Sequence, residues 1–184
     1  MNRPTPSCRV LAAVIIACAC AGSLRAQSTL EYDVKAALLL NFARFIEWPD
    51  RAFAGPRAGI DICVFAPNPF GQALERVLQG ETIGMRPLST RDVHSTAAAA
   101  GCHLLFVPAG SESRAAAILR QIGSPTITVG ESRRFEDLGG AVSFVLEGGR
   151  VRFTVNLRPV EERGVRISAR MLNLASRVDR ASKK

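Results

Sequence analysis

The sequence predicts an α/β fold: a mostly parallel central sheet flanked by helices, ending in an antiparallel β-hairpin and a C-terminal helix. Three observations predict it. Between residues 60 and 129, short β-branched and apolar runs alternate with helical patterns, the rhythm of βαβ units. Near the end, Gly148-Gly149 separates two runs of strand character, as in a hairpin. Apolar residues also recur at helical spacing before the first strand and after the last.

The chain opens on a segment that reads as an address. Arg3 and Arg9 are basic, and Val10–Ala21 is an apolar run too short to span a bilayer. Ser23-Leu24-Arg25-Ala26 places small residues where a signal peptidase needs them, so cleavage is expected between Ala26 and Gln27. A short buried helix or a membrane anchor is the alternative. Ile15-Ile16-Ala17-Cys18 also resembles a lipobox, in which Cys18 would become a lipidated N-terminus, a minor alternative. Residues 1–26 hold three arginines and no acid, so their removal lowers the formal charge from +8 to +5. The remaining 27–184 are enough for one domain. With scattered arginines, one Trp and one Tyr, they give little reason to expect nucleic-acid binding.

The elements follow in order. A helix is expected over 30–47, with Ser28 and Glu31 at capping-box spacing and Trp48-Pro49 as its stop. Val34, Leu38, Phe45, Ala37 and Ile46 form a stripe that Leu39, Leu40 and Phe42 widen almost all round. Such a helix is deeply buried or meets another chain. Ile60–Ala66 reads as a buried strand, Phe70–Leu78 as a short helix and Arg86–Val93 as a second strand. Ser95–Ala100 is a helical or loop piece. Cys102–Val107 is a third strand, Glu112–Ile122 a helix and Pro125–Val129 a fourth strand. Ala141–Leu146 and Val151–Leu157 form the hairpin. A short helix from Pro159 to Arg163 stops at Gly164, and a last helix is expected over Ser168–Val178.

Of five cysteines, Cys8, Cys18 and Cys20 precede the expected cleavage point, leaving Cys63 and Cys102. In an exported protein a disulfide between two strands is the expectation; two buried thiols is the alternative. With no second pair, metal binding by sulfur is not expected, and no cofactor is. Catalytic parts are missing. His94 and His103 have no partners at ligand spacing, and Gly130-Glu131-Ser132-Arg133 fails the nucleophile-elbow pattern. No phosphate-binding glycine loop occurs, and Glu136-Asp137 and Glu161-Glu162 read as solvated charge.

Several stretches carry a resemblance. Lys35–Pro49 (KAALLLNFARFIEWP) resembles the opening signature of the YfiR-like family of bacterial periplasmic proteins. Cys63-Val64, Pro69-Phe70-Gly71 and Cys102–Val107 resemble its cysteine-bearing strands and first turn. Phe135–Gly140, Val151–Leu157 and Gly164–Ala175 resemble its later segments, so the likeness runs over about residues 31–178. The resemblance implies a repressor that binds the periplasmic domain of an inner-membrane sensor, a diguanylate cyclase in the name-giving case, and so controls cyclic di-GMP and biofilm formation. It implies that Cys63 and Cys102 match one family disulfide; a second has no counterpart here, which puts a two-bridge redox switch in doubt. A kinase or chemoreceptor is the alternative partner, and a periplasmic small-ligand sensor the alternative function.

A repressor needs surface rather than catalytic groups. The first helix is expected to supply a homodimer or partner face, with Leu39, Phe42 and Trp48 as anchors. Packing in the core is the plainer use of those residues. Arg170, Leu172 and Asn173 of the last helix form a second candidate face.

Overall fold

The computed structural model describes residues 29–123, 125–131 and 133–180. The expected cleavage point between Ala26 and Gln27, and the lipobox at Cys18, lie outside the described residues.

Helix α1 spans residues 29–45. It ends earlier than its periodicity suggests, because Ile46–Glu47 (β1) pairs antiparallel with Arg166–Ile167 (β9). The Ser168 N–H closes that ribbon on the Phe45 carbonyl at 2.9 Å. A 3-10 turn at Asp50–Ala52 follows.

The main sheet has eight strands. They are β2 (Ile60–Phe65), β3 (Thr82–Ile83), β4 (Arg86–Val93), β5 (Leu104–Val107), β6 (Ile127–Gly130), β7 (Val142–Glu147), β8 (Arg150–Asn156) and β10 (Arg177–Asp179). Their order is β10-β8-β7-β6-β5-β2-β4-β3. The neighbours β4, β2, β5, β6 and β7 run parallel; β3 on β4 and β8 on β7 are antiparallel. The sheet is therefore the mostly parallel α/β sheet the alternating pattern predicts. It winds outward in both directions from β2, so the direction of winding reverses between β2 and β5.

Side-chain alternation divides the core into two layers. On one face Ile60, Ile62, Val64, Leu104, Phe106, Ile127, Val129, Val142, Phe144, Phe153 and Val155 pack against α1 and α2 (Ala73–Leu78). The short helices α5 (Leu157–Glu162) and α6 (Ala169–Leu174) add Leu157, Val160 and Met171 to that layer. On the other face Cys63, Phe65, Val93, Leu105 and Val107 pack under α3 (Glu112–Gln121) and Phe135 of α4 (Arg133–Asp137). Glycine makes room for Phe135: a Cβ on Gly130 would sit 2.3 Å from its ring. The hairpin turn also needs glycine, since Gly148 and Gly149 take φ of 57° and 73°.

The sharpest departure lies at the C-terminus. The last helix stops at Leu174, and Val178, expected on its apolar side, lies in β10 parallel to β8. Backbone pairing explains the change. The Ser176 N–H donates to the Phe153 carbonyl at 2.9 Å, laying the chain along the open edge of β8. Residues 95–101 form turns, and the fourth strand begins at Ile127 rather than Pro125, since proline has no N–H for a ladder.

Candidate functional site

The first turns of α1 cross the carboxyl ends of β5 and β6, beside the reversal of winding. In open α/β sheets this is the ligand crevice. Here the chain fills it with its own side chains. Glu131, directly after β6, points to Lys35 of α1, and Lys35 also pairs with Glu31 one turn earlier. The Lys35 and Glu131 side chains are only 5% and 4% exposed. Glu131 further accepts from the Ala109 N–H, just beyond β5, and from the Tyr32 hydroxyl at 3.3 Å. The Lys35 ammonium lies 4.5 Å from the Tyr32 ring centre, and Tyr32 meets Phe70 edge-on at 5.4 Å.

This knot carries one positive and two negative charges. Burial, then the charge of Glu131, pushes the Tyr32 phenol well above its ordinary range, so it stays protonated and donates. Buried ion pairs add little net stability but are costly to break from one side. The knot therefore pins the start of α1 to the sheet. The cavity left beside it is about 130 Å³, below the roughly 300 Å³ at which small-molecule pockets begin.

Next to the knot lies a groove of about 690 Å³ between α1 and the β7–β8 hairpin. Leu30 and Val34 line one wall, Leu146 and Val151 the other, with Glu31 and Arg150 at the rim. Leu30, Val34 and Leu146 are 66%, 40% and 60% exposed. Among the described residues only Met85 and Leu174 are further large apolar side chains so exposed, so most of the open apolar surface is gathered here.

The residues the sequence points to fall elsewhere. Leu39 and Phe42 are fully buried; Phe42 stacks on Phe144 with ring centres 5.6 Å apart and meets Phe153 edge-on at 4.8 Å. In this fold they give a partner no surface, because the sheet uses them. Trp48 is half-buried and meets His103 edge-on at 5.6 Å. Arg170 and Asn173 stand exposed on α6 with Leu172 half-buried, and none of the three lines the groove. Leu30 and Leu146 escape sequence reading because an exposed leucine looks like a core leucine until its neighbours are known.

Cys63 of β2 and Cys102, two residues before β5 begins at Leu104, form a disulfide with Cα atoms 5.9 Å apart, so the bridge joins a strand to the turn that leads into its neighbour. The Arg91 guanidinium donates to Cys102 Sγ at 3.3 Å and to the Ala98 and Ala100 carbonyls. His103 is buried, its Nδ1 accepting from the Asp61 N–H at 3.1 Å and its ring stacked on Phe53 at 4.8 Å. Burial pulls its pKa below the ordinary value, with Arg86 pushing the same way and Asp61 opposing. Among the described residues no group of three or more His, Cys, Asp or Glu side chains could hold a metal, and no helix is long and apolar enough to cross a membrane.

The model of the YfiR/HmsC-like family matches residues 32–176. The chain belongs to that family. The family is, in general terms, one of periplasmic regulators in cyclic di-GMP signalling, regulatory rather than catalytic. Among solved structures, this YfiR-like chain is similar to a conserved domain protein from Vibrio cholerae O1 biovar eltor at 11% identity and TM-score 0.48, covering 65% of this chain and 54% of that one. It is also similar to an ABC domain in complex with L-Trp from Streptococcus pneumonia, at 13% identity and TM-score 0.45, covering 65% and 55%. The chain spans about half the length of each, and at these scores neither decides its fold or its function.

Proposed function

We propose that the protein represses an inner-membrane sensor, a diguanylate cyclase, by binding the sensor's periplasmic part in the groove between α1 and the β7–β8 hairpin. The observation that carries this reading is the open apolar surface of Leu30, Val34 and Leu146, held in place by the buried Lys35–Glu131 knot. Family membership supplies the setting. No catalytic step is assigned. Repression needs only that the groove bind the inactive sensor better than the active one; about 4 kcal/mol of preference shifts that equilibrium about a thousandfold. A small-ligand sensor is less well supported, because the crevice such a ligand would use is filled by Lys35 and Glu131.

The reading includes export, with the signal removed after Ala26 and residues 27–184 folding as one domain. The test is made in cells. Leu146→Asp is expected to raise cyclic di-GMP to the level of a strain lacking this protein, while the purified variant melts within about 2 °C of the parent. Deleting the cyclase should abolish the effect. Cyclic di-GMP that stays at the parental level in Leu146→Asp and in Leu30→Asp would refute the reading.

A further inference from the structure

At eight residues β4 is the longest strand of the sheet, yet almost nothing covers its outer edge. β3 pairs with it only at Arg86 and Pro87, and the Leu88 N–H adds one bond to the Glu81 carbonyl at 3.0 Å. From Ser89 to Val93 no strand lies alongside. Register decides which groups are left over. The Ala66 N–H donates to the Val93 carbonyl, so Val93, Arg91 and Ser89 turn their backbone groups to β2. Thr90 and Asp92 therefore turn an N–H and a C=O outward each. Natural sheets rarely leave a long edge so open.

A groove of about 510 Å³ runs between this edge and α2. Leu78 and Leu88 give it an apolar floor, Glu75 and Arg76 line its helical wall, and Ser89 and Thr90 its strand wall. Thr90 Oγ1 is buried there without a hydrogen-bond partner among the described residues. We propose that this edge takes an extended segment of another protein as an added strand, laid between β4 and α2.

The geometry selects the occupant. Outward backbone donors and acceptors two residues apart match an extended chain; a helix satisfies its own. A second copy fits poorly. The two-fold register that pairs Thr90 with Asp92 sets Arg91 opposite its own copy, like charge on like. The register that pairs Thr90 with itself drives Val93 of one copy against the Pro87 position that β3 already covers. The segment that fits places aliphatic side chains over Leu78 and Leu88; the Arg91 guanidinium already pairs with Asp61 at 3.9 Å and donates to the Ala98 and Ala100 carbonyls, so the segment needs no acid there. Three strands separate β4 from the β7–β8 hairpin, so this surface is distinct from the apolar groove.

The test places a photocrosslinking residue at exposed Ser89 in the full chain, in cells that make it, with Arg158 on α5 as the control position. An adduct with another protein is expected from position 89 and not from 158. Thr90→Pro removes an outward N–H and leaves every bond to β2, so it should weaken the adduct by about tenfold or more without lowering the melting temperature appreciably. Asp92→Pro serves the same purpose if Thr90→Pro does not fold. A synthetic peptide of the crosslinked stretch should slow hydrogen exchange at the Thr90 and Asp92 amides. Leu146→Asp should leave the adduct intact, so the two sites fail independently. No adduct at 89, an adduct of two copies of this chain alone, an adduct unmoved by the proline variants, or unchanged exchange overturns the proposal.

Discussion

Lys35 and Glu131 show how one buried contact ties distant sequence together. Ninety-six residues apart, they meet where α1 crosses the sheet. Removing one partner strands the other in a poorly solvated place, so Lys35→Met is expected to cost about 3 kcal/mol, even with the Ala109 N–H still on Glu131. The double variant Lys35→Met/Glu131→Gln should recover part of that loss, because the deeply buried Glu131 then carries no charge and Glu31, with its side chain 26% exposed, still reaches water. Urea denaturation of the four proteins in the cycle measures the coupling. His103 supports a second prediction. Its folded pKa lies below its unfolded value, so the unfolded chain takes up the proton first as pH falls. The stability tied to neutral His103 is fully present above about pH 6.5 and is lost as pH falls toward the lower, folded pKa. His103→Gln should flatten the fall in melting temperature between pH 7 and pH 5; an unchanged slope would show that the imidazole does not titrate with unfolding.

Among the elements, β2 and β5 are neighbours well inside the sheet, and the disulfide ties β2 to the residue two before β5 across 39 residues of chain. The chain-entropy relation gives about 4 kcal/mol for a loop of that length, so Cys63→Ala/Cys102→Ala should lower unfolding free energy by about that much, measured in denaturant without reductant. These strands were legible because apolar runs such as Cys102–Val107 are short and bounded by turn residues. α1 was legible for its spacing; Glu31 was expected in a capping box with Ser28, and its pairing with Lys35, four residues on, came only with the structure. Glu131 was not, since nothing local says that the residue after β6 turns toward α1. β10 was hidden for a related reason. Val178 fits the helical period of Met171, Leu174 and Ala175, and only the open edge of β8 calls the chain out of the helix. The two-residue β3 and the five-residue α4 are too short to leave a pattern.

For the whole molecule, a fold from a family of regulators has its crevice filled by Lys35 and Glu131 and its open apolar surface beside them. Phe42 and Leu39 separate stability from binding. Phe42→Ala should cost about 3–5 kcal/mol of stability by emptying the aromatic cluster with Phe144 and Phe153, whereas Leu146→Asp should change affinity and leave stability alone. The mature protein should have the mass of residues 27–184 with one disulfide; a mass that begins at a lipidated Cys18 would move the domain from free periplasm to a membrane anchor. If the α1–hairpin groove holds the sensor, calorimetric titration of the purified mature protein with the periplasmic domain of the cyclase should give a saturable complex that Leu146→Asp weakens by about thirtyfold or more, equal to about 2 kcal/mol, with the fold intact. An equally tight complex with the aspartate in place would contradict it.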